Sequence, residues 1–178
     1  MLLQILKEAD PSAFKIAFLT IRTGYSQQFQ QPVREISQQL NISLIDMVLH
    51  ESKPSEYQRV FAEIAQDRPD AVIVSGIGDL YPYLQLIIEL VEKSRLPAIY
   101  PWRDAVELGG LMAYESDLGE LWRRMADDVH QILNGARPDD IPIYQPTKFE
   151  FVINLKAAKA LGLTLPPSLL AAADEVVE

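Results

Sequence analysis

Polar and aromatic residues follow four short apolar runs of the sequence, and each run is long enough to form a buried strand. Aromatic rings at such positions could stack on a planar solute, and an arginine or backbone N–H groups could bind its carboxylate. Ligands of open parallel sheets bind beyond the carboxyl ends of the strands, where these loops would meet. The alternative is that Tyr100 and Trp102 pack as core or loop residues. The candidate ligand-binding residues are Arg22, Tyr25, Ser75, Gly76, Asp79, Tyr100 and Trp102.

The sequence offers little for catalysis or for a cofactor. It has two histidines, His50 and His130, far apart, and no cysteine, so we expect no metal site. The glycines of segment 76–78 do not form a dinucleotide fingerprint, because Tyr81 occupies the third glycine position. Ser75 lacks the G-x-S-x-G context of a nucleophile elbow. We therefore expect a protein that is not an enzyme and holds no cofactor.

Composition indicates a single globular domain with an acidic surface. The chain has 178 residues, is 48% hydrophobic and carries a formal net charge of −9. The charge argues against nucleic acid, whose phosphates require lysine and arginine. No apolar stretch approaches the ~18 residues that suggest a membrane span. Residues 1–15 make a poor signal peptide, so two interpretations stay open: a cytoplasmic protein, or an excised piece of a longer one.

Strand-like and helix-like segments alternate along the first two thirds of the chain. Helical patterns of ten to fifteen residues separate the apolar runs, which is typical of a parallel sheet covered on both faces. We expect an α/β fold, a three-layer parallel sheet of the flavodoxin or Rossmann type forming one lobe. In this interpretation residues 1–114 form the βαβ core, and residues 115–178 form a helix, a return strand at 149–155 and a tail. The four predicted core strands are 15–21, 43–50, 71–75 and 97–100.

The clearest helix of the sequence runs from Leu118 to Leu133. Asp117 can cap its first turn, with Glu120 at the capping-box position, and Gly135 ends it. Its apolar stripe is wider than a surface helix requires. The stripe contains Leu118, Leu121, Trp122, Met125, Val129 and Ile132.

The terminal block from Arg95 to Glu178, which begins RLPAIYPWRDAVELGGLMAYESD, resembles the C-terminal part of a known family. The family is the ABC transporter substrate-binding proteins of the tryptophan/tyrosine type, which are type I periplasmic-binding-protein-like. Its members are normally exported and hold a small solute between two α/β lobes. The residues before Arg95 are too few for a complete first lobe. The resemblance therefore implies one lobe plus the tail, with the first lobe missing.

The resemblance implies binding of an aromatic amino acid or a similar solute, with an ABC permease or a chain carrying the missing lobe as partner. The alternative is a degenerate lobe that acts as an oligomerisation or sensory module without solute transport. Residues 109–117 read GGLMAYESD, where the family pattern reads GGLMSYGPD. Glu115 and Ser116 replace a glycine and a proline, which is expected if no hinge operates.

The resemblance also places the helix at 117–135 on the first lobe. Without that lobe the apolar stripe would be exposed, although burial of each large side chain is worth roughly 1.5–3 kcal/mol. We therefore expect a two-fold homodimer in which this helix packs on a second copy. The alternative is that the helix folds back onto its own sheet.

Overall fold

The computed structural model describes residues 1–22 and 27–178, without the side chains of residues 27–30. Within these ranges strands and helices alternate as the sequence predicts. The strands are β1 Lys15–Ile21, β2 Ser43–Leu49, β3 Ala71–Val74, β4 Ala98–Tyr100, β5 Met112–Ser116, β6 Phe149–Asn154 and β7 Glu175–Val177. The α-helices are α1 Leu2–Ala9, α2 Gln27–Gln39, α3 Pro54–Asp67, α4 Leu84–Ser94, α5 Asp104–Glu107, α6 Leu118–Leu133, α7 Leu155–Leu161 and α8 Pro167–Ala172. Short 3-10 helices span Gly78–Tyr83 and Pro138–Asp140.

All seven strands belong to one sheet, in the order β2-β1-β3-β4-β5-β6-β7. Strands β1 to β5 are mutually parallel, and Lys15 of β1 pairs with Ser43 of β2. Strand β6 is antiparallel to β5, with Met112 opposite Ile153, and β7 is parallel to β6. The predicted α/β fold with a largely parallel sheet is confirmed. The two strands that follow α6, β6 and β7, run opposite to the first five.

Two apolar cores lie on the two faces of this sheet, because side chains of a strand alternate between faces. Ala17, Leu19 and Val72 face a core that contains the buried residues of α3 and α4. Ile16 and Ile73 face the opposite core, which contains buried residues of α1, α7 and α8. The sheet therefore buries apolar side chains on both faces, and amphipathic helices cover each face to give three layers.

Two local features were not predicted from the sequence. Helix α1, within residues 1–15, packs Leu3 and Leu6 into the core. Strand β7 lies within the tail and pairs with the second half of β6. Just before it, Asp174 accepts a 2.8 Å hydrogen bond from the N–H of Phe151. The acidic tail is thus part of the sheet.

Helix α6 has its predicted bounds and cap. The Asp117 carboxylate accepts the N–H of Glu120 at 2.9 Å. Glu120 does not complete the capping box, since its own carboxylate accepts from the Tyr144 hydroxyl at 2.5 Å. After the helix, Gly135 has a φ of +97°, a conformation that favours glycine.

Helix α6 contains no buried residue. The alternative in which it folds back onto its own sheet is therefore wrong: five of its large apolar side chains are at least 49% exposed, and Trp122 is 63% exposed. Among the described residues, no helix combines the length and the apolar character that a membrane crossing requires.

Candidate functional site

An open cleft of about 590 Å³ lies at the carboxyl edge of the sheet, and we call it the carboxyl-edge cleft. Three parallel strands end there, β3 at Val74, β4 at Tyr100 and β5 at Ser116, so the segments after them converge. The cleft therefore has the position at which open parallel sheets bind ligands. Its walls include Tyr81, Trp102, Arg103, Asp104, Glu115, Asp117 and Glu150.

An aromatic pair forms one wall of the cleft. The rings of Tyr81 and Trp102 meet edge to face, with centroids 5.4 Å apart and planes at 72°. Trp102 is half-buried and packs against the apolar core, whereas Tyr81 is 46% exposed. The Tyr81 hydroxyl donates a hydrogen bond to Asp104, and this bond raises the pKa of Tyr81. The pair offers a fixed apolar surface on which a flat ring can pack.

Carboxylates from three elements converge on the cleft. Asp104 begins α5, while Glu115 and Glu150 face each other as a cross-strand pair of β5 and β6. Burial raises the pKa of Glu115, and the negative charges of Glu150 and Asp104 raise it further. Such an environment favours the neutral acid or a neighbouring positive charge. The cleft is therefore suited to a cationic group.

Arg103 also lines the cleft, but carboxylates already surround its guanidinium. Nη2 lies 2.6 Å from Glu175, Nη1 lies 3.4 Å from Glu150, and Nε lies 3.6 Å from Glu107. The Glu175 hydrogen bond is the largest cause of the raised pKa of Arg103. Binding a ligand carboxylate here would require Arg103 to exchange one of these partners.

Of the predicted contact residues, Trp102 alone lines the carboxyl-edge cleft in the described part of the chain. Arg22 is exposed at the end of β1, and Gly76 is exposed beside Pro101. Asp79 is exposed, and its carbonyl accepts the Ser52 hydroxyl at 2.7 Å. These residues lie near the same edge of the sheet but outside the cleft itself.

Three other predicted contacts have different positions. Ser75 is buried at 8% exposure, and its Oγ has no hydrogen-bond partner among the described residues. Tyr100 is 1% exposed and belongs to the apolar core, a placement that matches the alternative of a packing residue. Tyr25 lies outside the described residues.

Sequence reasoning missed most of the polar wall. Tyr81 follows a predicted strand and could have been found by extending the loop after β3 by two residues. Asp104, the first residue of α5, lies two residues beyond Trp102 and was not among the predicted contacts. Glu150 reaches the cleft through the antiparallel β5–β6 pairing, which local sequence patterns do not reveal.

Metal binding has no support within residues 1–22 and 27–178. No group of three or more histidine, cysteine, aspartate or glutamate side chains there is arranged to hold an ion. The cleft carboxylates instead face an arginine and two aromatic rings.

Solved structures share this fold. A conserved domain protein from Vibrio cholerae O1 biovar eltor matches with a TM-score of 0.87 and 21% identity, over 98% of this chain and 58% of its own length. The ABC domain from Streptococcus pneumonia in complex with L-Trp matches with a TM-score of 0.86 and 22% identity, over 99% and 60%. A ligand-free, open substrate-binding protein from Clostridium difficile matches with a TM-score of 0.69 and 18% identity, over 99% and 58%.

The chain thus spans about three fifths of the length of these proteins. No curated protein matches it. The model of one protein family, the ABC transporter substrate binding proteins, matches residues 4–177. Since this match includes nearly the whole sequence, the chain belongs to the ABC transporter substrate-binding protein family.

Proposed function

We propose that the protein is a non-enzymatic solute-binding lobe and that the carboxyl-edge cleft is its share of the binding site. One observation carries the proposal: the cleft combines the Tyr81–Trp102 pair with the carboxylates of Asp104, Glu115 and Glu150. Apolar surface with a few convergent polar groups is the usual composition of a small-molecule site. Family membership supports the same function.

The proposed solute is an aromatic amino acid or a similar aromatic amine. Its ring would pack on Tyr81 and Trp102, and its ammonium group would lie beside Glu115, whose raised pKa reflects burial near other negative charges. The L-Trp complex of the Streptococcus pneumonia protein supports this class of ligand. The ligand carboxylate would bind exposed N–H groups or Arg22, which remains a predicted contact together with Tyr25, Ser75, Gly76 and Asp79.

The cleft is open, so a tightly held solute needs a facing surface. We propose that helix α6 provides this surface by packing on a second copy of the chain in a two-fold homodimer. Its exposed apolar residues support an interface, because contiguous apolar surface on a soluble protein marks contact sites. A chain carrying a facing lobe is the other candidate for this surface, and an ABC permease is the proposed partner in transport. The proposed interface residues are Leu118, Leu121, Trp122, Met125, Val129 and Ile132.

One observation favours a second candidate function, a lobe without solute transport. Glu115, where the family pattern has glycine, lies inside the regular β5–β6 ladder opposite Glu150. A segment held in a ladder has little freedom to act as a hinge. Such a lobe would serve as an oligomerisation or sensory module.

Calorimetry with three related ligands tests solute binding at the cleft. L-Trp carries both charged groups, tryptamine keeps only the ammonium group, and indole-3-propionate keeps only the carboxylate. We expect the first two to bind and the third to bind at least tenfold more weakly, because the cleft is acidic. Trp102→Ala should abolish binding, and Phe14→Ala, at an exposed ring before β1, should preserve it. Absence of binding by all three ligands at millimolar concentration would refute solute binding and leave the second candidate.

Light scattering tests the interface separately. One chain has a mass of 20.1 kDa, so the wild type should give about twice that mass. The double variant Trp122→Glu, Met125→Glu should give a monomer, because it places charges on the apolar face of α6. Phe14→Ser changes an exposed apolar residue away from α6 and should stay dimeric. A monomeric wild type would overturn the homodimer and favour a separate facing chain.

A further inference from the structure

The charges on the walls of the carboxyl-edge cleft do not balance. Among its described lining residues, one arginine faces four carboxylates, those of Asp104, Glu115, Asp117 and Glu150. Residues 23–30, which follow β1 in the sequence, add no lysine or arginine. The walls therefore carry an excess of negative charge, and this excess restricts what the solute of the cleft can be.

Arg103, the arginine of the cleft, already has carboxylate partners. Its guanidinium nitrogens lie 2.6 Å from Glu175, 3.4 Å from Glu150 and 3.6 Å from Glu107. A ligand carboxylate at Arg103 would have to displace one of these groups, whose negative charge would then stay beside the ligand. Like charges at such distances repel each other. Arg103 therefore stabilises the acidic wall and is poorly placed to recognise a carboxylate.

Glu115 shows that Arg103 does not neutralise the cleft. Burial is the largest cause of the raised pKa of Glu115, and the charges of Glu150 and Asp104 raise it further. A hydrogen bond from the backbone N–H of Arg103 and the charge of its guanidinium lower the pKa, but the net shift is still upward. The folded protein thus disfavours the charge on this carboxyl group. A cation beside Glu115 would offset that effect, whereas another carboxylate would increase it.

Two further arginines near this edge lie outside the lining of the cleft. Arg22 follows β1, which lies three strands away from β5 in the sheet, or about 14 Å at the usual spacing of strands. Arg123 is closer, since its Nη2 lies 3.7 Å from the position of a Cβ atom at Gly119, so a variant of Arg123 belongs in the test. In an α-amino acid the ammonium and carboxylate groups share one carbon. With the ammonium at Glu115, the carboxylate would lie near the other carboxylates of the cleft.

The amino end of α6 also lies at the cleft, and helix amino ends attract anions. Here a carboxylate of the protein occupies that position. Asp117 accepts the N–H of Glu120 at 2.9 Å, and its Oδ1 lies 3.1 Å from the position of a Cβ atom at Gly119. A ligand carboxylate at this helix end would have to bind beside the Asp117 carboxylate, against its charge.

The aromatic wall of the cleft is joined to the acidic wall. The Tyr81 hydroxyl donates a hydrogen bond to Asp104, and the Tyr81 ring meets Trp102 edge to face at 5.4 Å. Positive groups are attracted to the faces of tyrosine and tryptophan rings. An ammonium group attached to a flat ring by a short chain therefore matches both walls.

We propose that the solute of the carboxyl-edge cleft is an aromatic amine without a carboxylate, so that the cleft selects the amine over the corresponding amino acid. The inference rests on the proposed solute-binding function and narrows its class of ligand. The excess of carboxylates binds the ammonium group, and the same excess repels a carboxylate of the ligand. The selectivity should be at least about fivefold, which corresponds to one repulsion between unit charges at about 4 Å in water.

Three indole compounds with the same ring test the proposal by calorimetry on the full chain at pH 6. L-Tryptophanamide has a neutral amide in place of the carboxylate of L-Trp, and tryptamine has neither group. Amino groups of this kind titrate at about pH 8 or above, so all three compounds are protonated at pH 6. L-Tryptophanamide and tryptamine should bind with similar affinity, and both should bind at least about fivefold more tightly than L-Trp.

Variants identify the groups that set this preference. Glu150→Gln removes the carboxylate opposite Glu115 and should reduce the preference for the amide over L-Trp. Glu89→Gln makes the same change of charge at an exposed position of α4 outside the cleft, and it should keep the preference. Arg103→Gln should increase the preference, because it removes a positive charge from the cleft. Arg123→Gln should leave it unchanged.

Two results would overturn the proposal while solute binding stands. One is that L-Trp binds as tightly as L-tryptophanamide or more tightly. The other is a selective loss of L-Trp affinity in Arg103→Gln or Arg123→Gln, which would identify that arginine as the partner of a ligand carboxylate. Absence of binding by all three compounds at millimolar concentration would overturn the solute-binding function itself, and this inference with it.

Discussion

Arg103 donates a hydrogen bond to Glu175 across 72 residues of sequence, at a distance of 2.6 Å. The bond joins the segment after β4, which forms a wall of the carboxyl-edge cleft, to the last strand of the sheet. Glu150 of β6 lies 3.4 Å from the same guanidinium. Arg103 thus links the cleft wall to both strands that follow α6, and the geometry of the cleft depends on the C-terminal tail.

Arg103→Gln should loosen this connection. The guanidinium side chain is 36% exposed, and solvent screening limits the loss to about 1 kcal/mol in the free energy of unfolding. Urea denaturation measures the change, and hydrogen exchange should be faster at the amides of β7. Arg137→Gln is the matched control, because its 3.5 Å pair with Asp139 is largely exposed. Equal effects of the two substitutions would show that Arg103 is only another surface charge.

The sequence predicted the elements whose signals are local. The strands of the βαβ core and the bounds of α6 follow from apolar periodicity and from the Asp117 cap. Strand β7 was missed because three residues of an acidic tail become a strand only by pairing with β6. Tyr100 was assigned to the ligand loops because it ends β4, but alternation along the strand turns its ring toward the core.

The cleft itself was only partly predictable. Fold position predicted the edge of the sheet at which the carboxyl-edge cleft lies and one residue that lines it, Trp102, since strand ends can be located from the sequence. The carboxylates could not be assembled in the same way. Glu150 reaches the cleft because β6 runs antiparallel to β5 and places it opposite Glu115. That direction and register depend on contacts between residues distant in sequence.

Gly110→Ala should destabilise the protein by about 1–3 kcal/mol, the usual cost of forcing extra atoms into a packed site. The new methyl group would lie 2.7 Å from the Ala105 carbonyl oxygen and 2.8 Å from the Tyr100 ring. Thermal and urea denaturation measure this cost. Gly78→Ala is the control, because a Cβ atom there has no neighbour within 4 Å, and it should change stability by less than about 0.5 kcal/mol. A Gly110→Ala protein as stable as this control would contradict the close packing of Gly110 against Ala105 and Tyr100.

Glu56 should contribute to acid sensitivity. Arg59 donates to its carboxylate at 2.7 Å and 3.0 Å, and the His50 N–H donates at 3.1 Å. These bonds lower the pKa of Glu56 to about 2 from its ordinary value of 4.5. A depressed pKa gives stability that is present above pH 4.5 and is lost as the pH falls toward 2.

Urea midpoints at pH 6 and pH 3 test this assignment. The wild type should lose more stability between the two values than Glu56→Gln, whose amide does not titrate. Glu63→Gln is the control, since its carboxylate also pairs with Arg59 but is 61% exposed. If Glu56→Gln and the wild type lose stability in parallel, other carboxylates dominate the acid response.

Glu115→Gln should stabilise the free protein at pH 7. Burial and the charges of Glu150 and Asp104 raise the pKa of Glu115 in the folded state, so the folded protein binds this proton more tightly than the unfolded chain does. The stability associated with this proton is complete below the unfolded value and is lost as the pH rises through the folded one. At pH 7 the wild type therefore folds with an unfavourable charge on Glu115, which the neutral amide of the variant avoids. At pH 3 both side chains are neutral, so the two proteins should have the same free energy of unfolding.

Unfolding at both pH values measures this difference, and Glu107→Gln serves as the control because its carboxylate is 65% exposed. If Glu115→Gln is more stable, it should also bind tryptamine less tightly. The Glu115 carboxylate that destabilises the free protein is also the group proposed to bind the ligand ammonium. This trade of stability for affinity is common at binding sites, where charges are left without full compensation until the ligand arrives. A variant that gains stability and keeps full tryptamine affinity would move the ammonium position from Glu115 to Asp104 or Glu150.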